Sequence, residues 1–461
     1  MKKAIVTVAA LMLLCFCLLT ACVPAEKPLT DEEKQELISE AYIYAFPLVL
    51  VDATKTLSTN TVTPVKGRSP VNQLIHGKEL ADASFRTVVT PNVDTVYTQG
   101  WLDLGAEPMV YVMPEADRFF NVQVLDAWTN TVTVLDQSGT YVFVTPDSDA
   151  VVPENVTKVE VPTNYVWLIA RVVLSDKEDL PNVYEIQNGM NLLPLSAYNA
   201  GGDYVQPEGT YDAANDSVPV SKVLSMSPKE FFDKANALME INPPAEADAE
   251  LLKKFAKINV GPGMTFDASV IPSDSDTEGE GFWVNHLKNF RQTVVSCAPK
   301  FASKLGQWTF YGSPIGDFGI EYTYRAMVAL VGLGANTNDV AIYPKTDCDI
   351  NGNRLSGEKT YILHFDSLPS TLEKGFWSIT AYGSDDFLID NPINRYCVND
   401  RSGFILNEDG SLDIVLSKDA PQITENWLPV GDGEFHLFMR IYLPDMEALK
   451  TWNPPTISVL A

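Results

Sequence analysis

The residues best equipped for chemistry fall into three groups. Asn92, Asp94 and Tyr97 form the first, in the run Thr90-Pro91-Asn92-Val93-Asp94 that leads to Tyr97. Asp94 suits a general base or a cation ligand, with Arg118 and Asp126 on the neighbouring hairpin as further ligand contacts. The plainer reading is an Asx turn: Asn92 bonds its own backbone, and Pro91 keeps Thr90 extended.

The second group comes from strand alternation. Over 434–442, His436, Arg440 and Tyr442 share a face with Glu434 and Phe438, while Phe435, Leu437, Met439 and Ile441 face a core. Over 376–382, Ser378, Thr380 and Tyr382 likewise share a face. If the two strands are neighbours, these sets line one concave wall, with Arg395 and Trp427 near its rim and His436 as a second candidate base. If not, the face is an ordinary solvated one.

Asp347, Asp349, Asn351 and Glu358 make the third group, with the one-three-five-twelve spacing of a calcium loop. Helices should flank such a loop, yet strand-like runs lie before and after it, and Arg354 stands at a usually apolar position. A hairpin turn at Asn351-Gly352 is therefore expected, and no cofactor. G-x-S-x-G, H-E-x-x-H, P-loop and Rossmann patterns are missing. The four histidines show no metal-pair spacing. Arg325 lies in an apolar helical run and must be paired; a carboxylate from the first sheet region is the expected partner.

Elements to position these groups can be read along the chain. Thr30 and Glu33 form a capping box, and Pro47 should bend or end the helix that follows. Short alternating runs cover 97–102, 109–113, 120–124, 131–135, 140–144 and 165–174, at sandwich-like intervals. Helical periodicity returns at 229–239, 245–257, 282–301 and 321–333, and strands again at 359–365, 376–382, 412–416 and 434–442. The fold class is then α+β, mainly β: two antiparallel β-sandwich domains, the second jelly-roll-like, joined by a helical segment. The divisions are a signal peptide 1–21, a tether 22–29, an N-terminal helix and loop 30–85, a first sandwich 86–222, a helical bridge 223–340 and a second sandwich 341–461.

The N-terminus addresses the chain. Lys2-Lys3, an apolar run to Leu19 and Leu19-Thr20-Ala21-Cys22 resemble the signal and lipobox of bacterial lipoproteins, which implies lipid on Cys22. The tether, at no more than ~3.5 Å per residue, keeps the body within about 25 Å of a bilayer. Its expected place is the cell envelope, outside the cytoplasm. A formal net charge of −27 disfavours nucleic acid as a partner; a homo-oligomer is possible on this composition. Cys297, Cys348 and Cys397 remain in the mature chain, and a Cys348–Cys397 bridge is open.

Two stretches are also familiar together. Val89 to Tyr97, Trp101-x-Asp103-Leu104, Pro108, Val110, Pro114, Arg118-Phe119 and Asp126 resemble the domain-of-unknown-function family 1254. Asp349-x-Asn351-Gly352, Phe376-Trp377-Ser378-x-Thr380, Asn426-Trp427-Leu428-Pro429 and Arg440-x-Tyr442-x-Pro444 resemble its companion, family 1214. The resemblance implies two sandwiches joined by helices and no particular reaction. Phe119 stands where the family often has Tyr. The expected function is binding of a small polar ligand, such as a sugar or carboxylate, in a groove of the sandwiches. The alternatives are a hydrolase or lyase with Asp94 or His436 as base, and a structural or interaction role.

Overall fold

Thr30 caps the first helix as its spacing predicts: its hydroxyl accepts from the Glu33 amide, and the Glu33 carboxylate accepts from the Thr30 amide. That helix, α1 (Asp31–Ser58), runs on through Pro47, so the proline does not end it. A mid-helix proline costs about 3 kcal/mol. Tyr42, Phe46, Leu48, Val49 and Leu50 are all buried around it, and each such side chain contributes about 1.5–3 kcal/mol. Burial wins.

The computed structural model describes residues 27–86, 89–272 and 281–460. The signal segment, Cys22 and most of the tether lie outside the described residues.

The described residues form four sheets. The first domain contains β1 (Leu74–His76), β2 (Thr95–Asp103), β3 (Met109–Met113), β4 (Phe120–Asp126), β5 (Thr131–Leu135), β6 (Gly139–Val144), β7 (Thr157–Glu160), β8 (Tyr165–Val173) and β9 (Asn191–Pro194), with α2 (Leu180–Gly189) before β9. One sheet runs β1-β2-β8-β4-β5 and the other β7-β6-β3-β9. Val96, Leu102, Val122 and Leu168 of the first meet Met109, Tyr111 and Phe143 of the second in one core. Alternation therefore turns Tyr97, Asn121 and Arg171 to the opposite face of the first sheet.

A helical layer follows, with α3 (Pro228–Ile241), α4 (Phe282–Val295) and α5 (Tyr322–Gly332) among its helices. With α1 they enclose a second core rich in aromatic side chains. By length and composition α1 could cross a membrane, but 67% of its apolar window is buried, and it serves as the spine of this layer. The layer also holds β10 (Ala302–Leu305) and β11 (Trp308–Tyr311), a hairpin the sequence pattern did not reveal.

That hairpin joins the second domain: β12 (Ala341–Ile342), β13 (Lys345–Thr346), β14 (Tyr361–Phe365), β15 (Thr371–Gly383), β16 (Cys397–Asn399), β17 (Leu412–Ser417), β18 (Trp427–Pro429), β19 (Phe435–Pro444) and β20 (Thr456–Val459). Its sheets run β10-β11-β13-β19-β15-β16, with β12 also on β19, and β18-β17-β14-β20. They share a third core, in which Trp377, Ile379 and Ile441 meet Tyr361, Leu363 and Ile414. Pairing is mostly antiparallel, but β6–β7 and β17–β18 are parallel, which corrects the expectation of wholly antiparallel sheets. Cys297, Cys348 and Cys397 are free thiols, so Cys348 and Cys397 are not bridged.

Candidate functional site

The decisive pairing is β15 with β19, in the register Phe376–Tyr442, Ser378–Arg440, Thr380–Phe438 and Tyr382–His436. These neighbours place both polar sets on one face, as alternation predicted. The face is neither solvated nor open. The 90–94 turn of the first domain lies on it, and Ser378, Thr380, Tyr382, His436, Arg440 and Tyr442 are all buried.

Asn92 organises that turn: its Oδ1 accepts the Asp94 and Thr95 amides at 2.6 and 3.2 Å, the expected Asx geometry. Its Nδ2 reaches into the second domain and donates to Tyr442 Oη at 2.6 Å. Thr90 is not extended. It sits at φ 46°, a left-handed conformation that tertiary contacts must hold. Its amide donates to Asp386 O at 2.7 Å, and its carbonyl accepts from Arg440 at 3.1 Å.

Asp94 is completely buried. Ser378 Oγ donates to its Oδ2 at 2.6 Å, while Arg401 and Asn399 reach its Oδ1 at 3.1 and 3.4 Å. Arg440 also donates to Thr380 Oγ1 at 3.0 Å and to Tyr382 Oη at 2.7 Å, and Tyr382 in turn donates to Pro91 O at 2.6 Å. Burial pushes the Tyr382 phenol up to about 12 and, with Lys345 nearby, the His436 imidazole down to about 4. His436 stacks on Tyr382, with its Nε2 3.3 Å from Asp386. To act as general bases, Asp94 would have to shed its donors and His436 would work as a weak base.

Behind this layer lies a third row. Tyr97 and Asn121 flank Arg171 on adjacent strands. Arg171 is buried; it donates to Gln123 Oε1 at 3.0 Å and Gly334 O at 3.4 Å, and lies over the Tyr97 ring. Tyr343 and Tyr442 close the row from the second domain, and burial with the crowding of their phenols holds Tyr442 well above its ordinary value. Phe119 packs on Phe376 and Tyr442.

A cleft of about 320 Å³ opens above the row between the domains. Asp117, Arg118, Phe119 and Ser175 line one wall, and Lys374, Phe376, Asp400 and Arg401 the other. Lys374 spans it, its Nζ donating to Ala116 O at 3.0 Å.

Residues 71–194 match the family described as protein of unknown function DUF1254, and residues 340–446 match the one described as DUF1214. The chain carries paired DUF1254 and DUF1214 domains. A crystal structure of the VPA0106 protein from Vibrio parahaemolyticus is similar at 25% identity and a TM-score of 0.68, over 93% of this chain and 100% of that one. An uncharacterised protein from Burkholderia cenocepacia aligns over 93% of this chain and 94% of its own, at 12% identity and a TM-score of 0.43. No curated protein matches.

The seam is thus a contact between the DUF1254 and DUF1214 domains. Of the residues singled out from sequence, Asn92, Asp94, Tyr97, Tyr382, His436, Arg440 and Tyr442 come together there, and Arg118 borders the cleft, bound to Asp179 and Asp117. Asp126 does not join them. It sits at the far end of β4 and caps its own turn through the Trp128 and Asn130 amides. Burial raises its pKa, and its charge faces Arg325. Arg325 carries its Nη2 to Tyr44 O at 3.4 Å and lies over Trp128, so the charge expected from the first sheet region is Asp126, without a direct ion pair.

Arg395 and Trp427 also stand apart from the wall. Arg395 donates to the carbonyls of Thr424, Glu425 and Trp427, and the Trp427 indole to Ser417 O. Both tie loops of the DUF1214 domain. In the 347–358 loop Asp347 pairs with Arg354, and Asp349 accepts the Asn351 and Asn353 amides at 2.9 Å. A bridge between Cys348 and Arg354 closes the turn. Among the described residues no group of three or more acidic, His or Cys side chains is placed to hold a metal ion.

Sequence reasoning missed Arg171, Asn121, Tyr343, Lys374, Asn399 and Arg401. Arg171 had a signal: a lone cation in the apolar run Tyr165–Leu174 must find compensation. Lys374, Asn399 and Arg401 had none, since the groups they reach, Ala116 and Asp94, come from the other domain.

Proposed function

We propose that this is a lipid-anchored envelope protein that binds a small polar ligand where its DUF1254 and DUF1214 domains meet. The observation carrying the reading is the cleft of about 320 Å³, whose walls come from both domains and bring Arg118, Lys374 and Arg401 together. Clefts between domains that combine aromatic floors with a few polar groups are the usual places for such ligands. Phe119 and Phe376 supply the floor. Lys374, which donates to Ala116 O and has no carboxylate within 4 Å among the described residues, supplies a cation without an ion-pair partner at the mouth. Each pair of sheets acts in this reading as a β-sandwich, the second of jelly-roll kind. Lipid on Cys22 holds the body beside the membrane, where a dilute ligand is captured.

Thermal unfolding of the mature protein, with a panel of sugars and small carboxylates, tests the proposal. A saturable rise in Tm that Lys374→Ala removes supports it. A rise that is unchanged by Lys374→Ala and by Arg118→Ala places binding elsewhere. Loss of acyl labelling in Cys22→Ser tests the anchor.

A further inference from the structure

Formal charge does not balance in the seam. Arg171, Arg401 and Arg440 face Asp94 and Asp400, and Arg401 already engages both carboxylates. Arg440 lies within the field of Asp94. Arg171 has no carboxylate within 4 Å among the described residues; its partners are a side-chain amide, a backbone carbonyl and phenols. A guanidinium this deeply buried (5% exposed) needs a counter-charge.

Unspent polar atoms lie around the same cation. Asn121, directly across the ladder from Arg171, is 2% exposed, and neither its Oδ1 nor its Nδ2 has a partner. Thr95, two residues before Tyr97 and on its face of β2, is equally buried, with its Oγ1 unpaired. Buried polar groups are almost always satisfied, so a cluster of free ones beside an uncompensated cation is the negative image of a ligand. The guanidinium, the Asn121 amide N–H and the Thr95 hydroxyl can each donate, and together they suit an acceptor that carries one negative charge, which leaves Asn121 Oδ1 as the one acceptor of the cluster it does not match.

We infer that the seam binds a small carboxylate, with Arg171 as its counter-ion and Asn121 and Thr95 as further donors. The inference rests on the cleft reading above and deepens it: Phe119 and Phe376 floor the cleft and pack on Tyr442, so they stand between the mouth and this site. A sugar without a carboxylate leaves Arg171 uncompensated and does not fill it.

The test uses the mature protein, with acetate as probe and acetamide as its neutral counterpart, at constant ionic strength. Acetate is expected to raise Tm saturably, and acetamide to leave it unchanged. Asn121→Asp places a carboxylate beside Arg171; it is expected to raise the ligand-free Tm and to weaken acetate binding at least tenfold by calorimetry. Arg171→Met is expected to weaken it as much, which keeps the test open if one variant folds poorly. Acetate that fails to stabilise the wild type, or that binds Asn121→Asp as tightly, overturns the inference. In that event, stabilisation by a neutral sugar that Lys374→Ala removes leaves the cleft reading standing. If no compound stabilises the protein, both fall.

Discussion

Asn92 Nδ2 donates to Tyr442 Oη at 2.6 Å, across 350 positions of sequence. With its Oδ1 Asn92 shapes the turn of one domain, and with its Nδ2 it fastens that turn to the other. The same amide therefore sets both local and interdomain structure. Tyr442→Phe removes the acceptor and strands a half-buried donor, so a loss of about 1 kcal/mol, the low end for an unmatched donor, is expected. Urea unfolding should show this loss, with the m-value unchanged.

Asp94→Asn keeps the shape of the carboxylate but not its charge. Arg401 loses one of its two acidic partners, and Ser378 loses a charged acceptor. Breaking a buried pair costs about 3–5 kcal/mol; Asp400 still compensates Arg401, so a loss near about 3 kcal/mol is expected. A loss under about 1 kcal/mol would show that Asp94 does not hold the seam.

Gly334 has φ +82°, and a Cβ there would lie 3.0 Å from Ile169 Cδ1 and 3.1 Å from Trp167 Cζ3. Its carbonyl accepts from Arg171. Gly334→Ala should cost about 1–2 kcal/mol from the left-handed backbone plus the crowding. Because it shifts an Arg171 partner, it should also weaken carboxylate binding more than a remote variant of equal stability.

Acid should destabilise the protein through its histidines. Burial, the first cause in each case, holds His76, His286 and His436 down to about 4, against about 6.5 when unfolded. Above ~6.5 both states are neutral and the groups contribute no slope. Between ~6.5 and ~4 the unfolded chain takes up protons the folded one refuses, so stability falls as pH falls. His436→Asn should cut proton uptake on unfolding in that window by one, as measured from the pH dependence of urea midpoints.

His364 should act with the opposite sign. The Asp413 carboxylate at 2.6 Å, helped by Asp366, raises its pKa. Its contribution is present below the unfolded value of ~6.5 and is lost as pH rises through the raised folded value. His364→Gln should therefore destabilise the protein at pH 5.5 and converge on the wild type as pH rises through the raised folded value. A constant difference across that range would assign His364 a packing role only.

Much of the local structure was legible in the residues themselves. β3 and β5 match the runs read for them residue for residue, because short runs rich in β-branched and aromatic residues and bounded by turn residues favour strands. The Thr30 cap was readable because its hydroxyl and the Glu33 carboxylate satisfy backbone amides three residues apart. That Pro47 does not end α1 was not legible, because the rule for proline is local, whereas the burial that overrides it comes from helices hundreds of residues later. The β10–β11 hairpin was missed because its strands are only four residues each and take their pairing from β13.

Sequence by itself determined which faces were polar: Ser378, Thr380 and Tyr382 on one strand, His436, Arg440 and Tyr442 on another, Asn92 and Asp94 in a turn. Only tertiary structure decided that these faces are buried against one another across two domains. It also decided that Arg171 stands among them without a carboxylate. Alternation is a property of neighbours along the chain; charge balance belongs to neighbours in space, and at this seam Asn92, Asp94 and Pro91 find theirs in the other domain.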